Sequence, residues 1–119
     1  MWGYEIMDEE FIESAREATA FLKALANENR LLVLCHLADG EKSVTELERL
    51  IGIRQPTLSQ QLARLRSEDL VKTRREAKAV YYSLASDDVM LVIQLLHKMF
   101  CPGDLSAARP AFERTDSAA

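Results

Sequence analysis

Two short amphipathic segments that meet at a glycine, residues 43–53 and 54–70, constrain the fold of this chain more than any other feature. Ser43 and Glu46 have the spacing of a capping box, in which each side chain accepts a hydrogen bond from the backbone N–H of the other. Gly52 permits a tight turn before the second segment. Two short helices joined by a turn of three or four residues that contains glycine form a helix-turn-helix, and we predict one here.

The second segment has two chemically different sides. Its apolar side, which we predict to be buried, consists of Leu58, Leu62 and Leu65 at helical spacing. Its other side is dense in hydrogen-bonding groups that match base edges in the major groove of DNA. The candidate DNA-binding residues of this helix are Gln55, Thr57, Ser59, Gln60, Gln61 and Arg64. A solvated amphipathic helix without this role is the alternative that the segment alone leaves open.

Charge is distributed unevenly along the chain. The formal net charge is −4, but residues 54–78 hold seven basic and three acidic side chains, a local charge of +4, so the remainder carries −8. A basic segment on an otherwise acidic protein is the electrostatic pattern of a DNA-binding face. The acidic remainder should limit non-specific binding, which depends on contacts to phosphate groups.

After Leu70 the apolar residues alternate with polar ones, which is the period of a β-strand. We predict a β-hairpin whose strands cover 71–74 and 80–84 and whose tip is 75–78. A helix-turn-helix followed by a basic hairpin is a winged helix. The candidate phosphate contacts of the hairpin are Arg74, Arg75 and Lys78. The alternative is a solvated cluster of charges on an exposed hairpin.

Three further amphipathic helices complete the prediction, at about 8–26, at about 28–39 and from Ser86 or Asp87 to about Phe100. The fold class is mostly α with a small β-hairpin, in the order four helices, two strands and a last helix. The first and last helices carry more apolar surface than a small winged helix can cover alone, so we predict a homodimer with a seam built from them. Such a dimer would contact two half-sites of palindromic DNA.

Length and composition predict one DNA-binding and dimerisation domain over residues 1–102 and a flexible tail over 103–119. No apolar run approaches the ~20 residues that cross a bilayer, and acidic residues stand where a signal peptide has basic and apolar regions. We therefore expect a cytoplasmic protein with no membrane partner. Cys35 and Cys101 are far apart and form no CxxC motif, so they are not the framework of a secreted disulfide scaffold.

The residues described above resemble the ArsR/SmtB family of winged-helix repressors over roughly residues 10–101. The matching stretches are ALANENRLLVLCHL at 24–37, SVTELERLIGIRQPTLSQQLARLRSEDLV at 43–71 and VYYSL at 80–84. One departure is Gln61, where the family often has histidine, and another is the wing tip REAK, where glycine is common. The resemblance implies a dimeric repressor that binds double-stranded operator DNA and is not an enzyme.

The metal sites of the family are not matched by this chain. The helix before the recognition helix lacks the cysteines of the arsenic and cadmium sensors, and Met90 and Cys101 replace the histidines of the zinc sensors. The pair Cys35 and Cys101 instead resembles the subgroup of repressors that respond to sulfide and persulfide. That resemblance implies two redox-sensing cysteines, persulfide or polysulfide inducers, and neither a bound metal nor a cofactor.

Our hypothesis for the pair concerns bridge length. A direct disulfide needs Cα atoms about 4.4–6.8 Å apart, and we expect Cys35 and Cys101 of one protomer to lie somewhat beyond that. A bridge with one or two added sulfur atoms would then fit better, and the resemblance implies selectivity for such species over peroxide. His97, one helical turn before Cys101, can favour the attacking thiolate. Closing the bridge would change the seam geometry and release DNA.

Several alternatives stay open at this stage. Cys35, Cys101 and His97 can hold zinc or a soft metal, the two cysteines can form a plain disulfide in an oxidant sensor, or the repressor can be constitutive with each cysteine a small buried hydrophobic residue. His36 is expected at the surface or behind a ligand. Other function classes are a thiol–disulfide enzyme, which the missing CxxC motif disfavours, and a protein-interaction module.

Overall fold

The computed structural model describes residues 9–101, which form five helices and a three-stranded sheet. The helices are α1 (Glu9–Leu25), α2 (Glu28–Leu37), α3 (Val44–Ile51), α4 (Gln55–Ser67) and α5 (Asp87–Phe100). The strands are β1 (Lys42–Ser43), β2 (Val71–Glu76) and β3 (Ala79–Leu84). The predicted mostly α, winged helix-turn-helix architecture is confirmed. The predicted tail over 103–119 and the first eight residues lie outside the described residues.

The helices begin at residues whose side chains bind the first free backbone N–H groups, which have no partner inside a helix. The side-chain oxygen Oδ1 of Asn27 accepts from the N–H of Arg30 at 3.0 Å. The predicted capping box is confirmed, because Glu46 N–H donates to the Ser43 hydroxyl at 3.1 Å and Ser43 N–H donates to the Glu46 carboxylate at 2.8 Å. Ser86 caps α5 in the same way. No helix within 9–101 is long and apolar enough to cross a membrane.

The turn between α3 and α4 depends on Gly52. Its backbone lies in the left-handed region with φ 82°, which glycine adopts without the steric cost that a side chain brings. Its N–H donates to the carbonyl of Glu48 at 2.9 Å and closes the end of α3. The chain can therefore reverse within a few residues and place α4 against α3, as the helix-turn-helix prediction requires.

The sheet differs from the prediction in two ways. The expected hairpin is present as β2 paired with β3, but β1 pairs with the other edge of β3, with Lys42 opposite Tyr82 and Ser43 opposite Tyr81. A two-residue strand is too short to show an alternating pattern, so it was not predicted. The predicted four-residue tip at 75–78 is also wrong, because the strands continue to Glu76 and from Ala79 and leave a two-residue turn.

The second helix of the helix-turn-helix, α4, packs against the core through its predicted leucine stripe. Leu58, Leu62 and Leu65 are at most 2 % exposed and belong to one apolar cluster with residues of the other helices. Burial of each leucine contributes roughly 1.5–3 kcal/mol, so this side of α4 is firmly fixed. On α3, Leu47 is fully buried and Leu50 is 42 % exposed.

Helices α1 and α5 leave large apolar side chains open to solvent. On α1 these include Leu22, which is 60 % exposed. On α5 they are Leu91, Leu95, Met99 and Phe100, each 55–70 % exposed. Val89 and Ile93 of the same helix are buried in the core. An exposed apolar face of this extent is typical of an interaction surface.

Candidate nucleic-acid interface and cysteine pair

The side of α4 opposite the leucine stripe presents polar groups to solvent. Gln55, Thr57, Ser59 and Gln60 are all exposed, as a helix that enters the major groove requires. Hydroxyl and amide groups on such a surface can donate to and accept from base edges. The structure thus brings these four predicted residues together on one accessible surface of a helix whose other side is buried.

Gln61 differs from these residues because it is half-buried and already bonded within the protein. Its side-chain oxygen accepts a hydrogen bond from Nη1 of Arg30 at 2.9 Å. Arg30 also donates to two backbone carbonyls at the end of α1, to Ala24 at 2.6 Å and to Lys23 at 3.1 Å. Burial, and then the positive charge of nearby Arg64, lower the pKa of Arg30. One side chain of α2 therefore connects the end of α1 to the recognition helix.

Arg64 lies further along α4 and is partly exposed. Its Nε is 3.8 Å from a carboxylate oxygen of Glu68, one helical turn later. At that distance and exposure the pair is a weak surface ion pair, worth at most about 1 kcal/mol. Arg64 can therefore turn toward a phosphate or a base at little cost.

The three basic residues predicted for the wing have different environments. Arg74 donates to Glu41 at 2.7 and 3.0 Å, donates to Glu76 at 2.6 Å, and lies 4.7 Å from the ring centre of Tyr81. These hydrogen bonds raise the pKa of Arg74, and the bond from Arg74 lowers the pKa of Glu41. Arg74 is thus committed to the base of the wing, which sequence reasoning did not anticipate.

Arg75 and Lys78 are exposed at the end of the wing, and neither forms an ion pair within the described residues. Arg75 is the last residue but one of β2, and Lys78 lies in the two-residue turn between β2 and β3. Solvated cations at the tip of a hairpin are well placed to approach a phosphate backbone. Of the three wing residues, these two retain the features of phosphate contacts.

Cys35 and Cys101 are both free thiols, and the structure brings them near each other. Cys35 lies in α2 and is partly buried, whereas Cys101 directly follows α5 and is 8 % exposed. Burial raises the pKa of Cys35 to about 12, and the neighbouring Cys101 adds a smaller increase. A charge on Cys101 that disfavours the Cys35 thiolate indicates that the two sulfur atoms are near each other, although 65 residues separate them in the sequence.

Both histidines near the cysteines are buried. His36 is 8 % exposed, which contradicts the first option of the expectation, a place at the surface, and leaves the second, a place behind a ligand, as a prediction. His97 is 5 % exposed, and within the described residues its Nε2 has no hydrogen-bond partner. The backbone N–H of Cys101 donates to the backbone carbonyl of His97 at 2.8 Å. Its predicted help to the thiolate remains a prediction.

The arrangement does not favour the alternative of a bound metal. Among residues 9–101, no three side chains of His, Cys, Asp or Glu come together in a way that could hold a metal ion. Zinc sites in proteins have at least three protein ligands. Cys35, Cys101 and His97 are therefore not arranged as a zinc ligand set in this conformation.

Sequence reasoning missed Arg30 and Glu41 as contributors to the interface. Arg30 lies in an amphipathic helix where a solvent-facing arginine is ordinary, and Glu41 lies in a short loop. Their partners, Gln61 and Arg74, are 31 and 33 positions away in the chain. No local pattern indicates such a pairing, because the packing of separate elements creates it.

The comparisons with known proteins agree with this geometry. Residues 27–73 match the family model described as "Bacterial regulatory protein, arsR family". The chain is 46% identical over 93 residues to the transcriptional activator HlyU of Vibrio cholerae, covering 78% of this chain and 86% of that protein. It is 52% identical over 87 residues to the biofilm growth-associated repressor of Agrobacterium fabrum, covering 73% of this chain and 74% of that protein.

Solved structures show the same fold. The reduced form of HlyU from Vibrio cholerae superposes with a TM-score of 0.75 and covers 79% of this chain and 99% of its own. A homodimeric winged helix-turn-helix domain of a possible ArsR-family regulator from Mycobacterium bovis is 32% identical, with a TM-score of 0.72, and covers 79% of this chain and 87% of its own. The helix-turn-helix, the wing and the last helix are therefore shared with transcriptional regulators.

Proposed function

The chain belongs to the ArsR family of bacterial transcriptional regulators, and we propose that it is a homodimeric repressor that releases operator DNA when added sulfur joins Cys35 to Cys101. The observation that carries this proposal is the proximity of two free thiols on separate elements, one in α2 and one just after α5. Residues 1–102 would form the DNA-binding and dimerisation unit, with 103–119 as a flexible tail. Because its ligand is chromosomal DNA, we place the protein in the cytoplasm.

The proposed bridge can form from a polysulfide without a further oxidant. The thiolate of Cys101 attacks the central sulfur of an organic trisulfide, forms a new S–S bond, and expels one thiolate. Cys35, after losing its proton, attacks that same transferred sulfur and expels the second thiolate. The product is a Cys35–S–Cys101 trisulfide and two thiols, so the donor is reduced by two electrons while the cysteine pair is oxidised by two.

The order of attack follows from the pKa of Cys35. With a pKa of about 12, only about one Cys35 in 100,000 is a thiolate at pH 7. We therefore assign the first attack to Cys101 and the closing attack to Cys35. An inserted sulfur lengthens the bridge by roughly 2 Å relative to a disulfide, which relieves strain if the pair lies beyond disulfide reach.

A bridge would affect DNA binding through the elements that it connects. Cys101 follows α5, whose exposed leucines would form the dimer seam, and Cys35 lies in α2, whose Arg30 bonds the recognition helix. A tether between α5 and α2 would therefore change the angle between the seam and the two copies of α4. Both copies must match successive major grooves, so a coupling of about 1–3 kcal/mol, roughly 5- to 150-fold in affinity, is expected.

The dimer itself is supported by the exposed apolar side chains of α1 and α5 and by the homodimeric neighbour from Mycobacterium bovis. Relatives include a protein named as an activator and another named as a repressor. A dimer that binds DNA in its reduced form and leaves when oxidised can repress transcription without contacting polymerase. For this reason we propose repression and not activation.

The test combines intact mass spectrometry with DNA binding. The reduced protein, treated with an organic trisulfide, should gain the mass of one bridging sulfur less two hydrogens and lose affinity for its operator. Cys35→Ser should retain a sulfur adduct on Cys101 without a bridge, and it should stay on DNA. Release of the Cys35→Ser protein by the trisulfide would contradict the mechanism while leaving DNA binding intact.

A plain disulfide is the second candidate trigger, because the same proximity of two free thiols favours it. Treatment with peroxide separates the two chemistries. Loss of two hydrogens with release of DNA would establish a general oxidant sensor, whereas resistance to peroxide together with a response to trisulfide would establish sulfur selectivity. Ala38→Ser, a substitution on a partly buried neighbour of the same helix end, is the matched control for Cys35→Ser.

A further inference from the structure

The side chain of Arg30 is held from two directions before any DNA is bound. Its Nε and Nη2 donate to the carbonyls of Ala24 and Lys23, and its Nη1 donates to Oε1 of Gln61 at 2.9 Å. The two carbonyls lie in the last turn of α1, where backbone oxygens lack the usual N–H partner four residues later, although that of Lys23 also accepts from the N–H of Ala26 at 3.2 Å. Arg30 thus satisfies them, and that anchoring fixes where the rest of its guanidinium points.

The chemistry of this contact fixes the orientation of the Gln61 amide. A guanidinium carries five N–H donors and no acceptor, so the atom of Gln61 that faces it must be the oxygen. The amide nitrogen of Gln61 donates no hydrogen bond within the described residues. The oxygen keeps a second lone pair but is turned toward Arg30, so the two N–H donors are the groups of this amide without a partner among the described residues.

We propose that Arg30 is a positioning residue that sets the base specificity of Gln61 by leaving only its N–H donors for DNA. An unconstrained glutamine can bond adenine at two points, accepting from the N6 amino group and donating to N7. Gln61 with an occupied oxygen instead suits an edge that carries acceptors alone, and guanine presents two of them, O6 and N7. This inference rests on the proposed function, since it concerns how the same helix recognises its operator.

The constraint comes from the fold and does not require DNA to induce it. Arg30 lies in the first turn of α2, next to the cap formed by Asn27, and its two carbonyl partners belong to α1. Reorienting the Gln61 amide would leave a guanidinium N–H facing an amide N–H. A preorganised donor loses little entropy on binding, so the preference for acceptors should be expressed in the affinity.

The first measurement defines the base that Gln61 contacts. Duplexes are selected from a random library with the full-length wild-type protein and with Gln61→Ala, and the position whose preference disappears in Gln61→Ala is the Gln61 position. We expect guanine there, favoured over adenine by roughly 5- to 150-fold. Replacing that guanine with 7-deazaguanine, which lacks the N7 acceptor, should reduce binding by the wild type and not by Gln61→Ala.

The second measurement tests Arg30. Arg30→Met keeps an apolar side chain of similar length and removes every hydrogen-bond donor, so the Gln61 oxygen is freed. The affinity for adenine at the Gln61 position should then equal or exceed the affinity for guanine, with no change of preference at other positions. Arg54→Met, which removes an exposed positive charge next to α4 without contacting Gln61, is the matched control. It should weaken binding to all duplexes alike and leave the preference for guanine unchanged.

A third variant keeps the inference testable if Arg30→Met unfolds through loss of its contacts with α1. Gln61→Glu preserves an acceptor for Arg30 and removes both N–H donors, so it should lose the guanine preference without gaining one for adenine. An adenine preference in the wild type, or an unchanged guanine preference in Arg30→Met or Gln61→Glu, would overturn the role of Arg30 alone. A wild-type protein with no base preference on any duplex would overturn the proposed function as well.

Discussion

Arg74 and Arg75 are neighbours in the chain whose side chains serve different purposes. Arg74 is held by Glu41, Glu76 and the ring of Tyr81, whereas Arg75 is exposed near the tip of the wing. An arginine whose donors are occupied by carboxylates must break those bonds to reach a phosphate. At the scale of single residues, local charge therefore predicts poorly which basic group meets DNA, and internal hydrogen bonding decides it.

We predict that Arg75→Ala weakens binding to specific and non-specific duplexes alike and lowers the slope of log affinity against log salt by about one. The physical reason is the loss of one phosphate contact and of the counterion that it displaces. Titrations of labelled duplexes at several salt concentrations measure the slope.

Arg74→Ala is the matched comparison for that experiment. It should lower the midpoint of thermal unfolding slightly and alter the salt slope little, because its side chain is committed to Glu41 and Glu76. Equal changes of slope in the two variants would show that both arginines contact phosphate in the complex.

The raised pKa of Cys35 leads to a prediction about the rate of bridge closure. Cys35 reacts as a thiolate, and its pKa of about 12 lies far above neutral pH, so the thiolate fraction grows about tenfold for each unit of pH from 7 to 11. Conversion of the Cys101 adduct to the closed bridge should accelerate by that factor.

Mass spectrometry of samples quenched with acid follows this closing step directly. A dialkyl trisulfide is the suitable donor, because it has no thiol of its own that ionises in the measured range. A rate that does not change between pH 7 and 9 would show that Cys35 does not make the closing attack from its buried environment.

The elements of this protein are defined by chemistry at their ends. Capping residues Asn27, Ser43 and Ser86 each bind a backbone N–H in the first turn of the following helix, and Gly52 ends α3 in a left-handed conformation. These features fix where helices begin and how tightly α3 turns into α4. The relative placement of the two helices, and with it the presentation of the recognition surface, depends on that turn.

We predict that Gly52→Ala destabilises the fold by about 1 kcal/mol, because alanine resists a positive φ. A Cβ added at Gly52 would meet nothing within 4 Å, so the cost should come from the backbone conformation alone. Urea denaturation monitored by circular dichroism gives the free energy of unfolding. Gly52→Asn is the control and should cost less, since asparagine tolerates the left-handed region; equal costs would instead indicate a steric cause.

At the level of the whole molecule, the exposed apolar side chains of α5 and α1 form a surface that a protein partner would cover. Leu91 and Leu95 are 61 % and 55 % exposed and lie one helical turn apart on α5. Each leucine buried in a seam would contribute roughly 1.5–3 kcal/mol, and a two-fold axis doubles every contribution. The proposed dimer, the spacing of its two copies of α4 and the proposed response to sulfur all depend on this surface.

We predict that Leu95→Glu yields a folded monomer that binds a palindromic duplex at least tenfold more weakly than the wild type. Burying a charged carboxylate at the seam is unfavourable, while an exposed position in the monomer tolerates it. Sedimentation velocity measures the oligomeric state and circular dichroism measures the helix content. Gln94→Glu, an equal change of charge on an exposed neighbour, should remain dimeric, and a dimeric Leu95→Glu would place the seam elsewhere.

Features whose causes are local could be predicted from the order of the residues. The period of Leu58, Leu62 and Leu65, the capping box at Ser43 and the alternation after Leu70 depend on side chains a few positions apart, so the helices, the hairpin and the buried side of α4 could be predicted. The exposed polar side of α4 followed from the same helical geometry.

The contacts between residues far apart in the chain depend on how the helices and strands pack together. The short strand β1 acquires its identity only by pairing with β3, Arg30 finds Gln61, Arg74 finds Glu41, and Cys35 approaches Cys101. Such contacts follow from the way several elements pack around one core, and a hydrogen-bonding or charged side chain leaves no periodic signal of its partner. For this reason the fold class could be predicted from the sequence. The contacts that α4, the wing and the two cysteines make with distant residues could be found only in the three-dimensional structure.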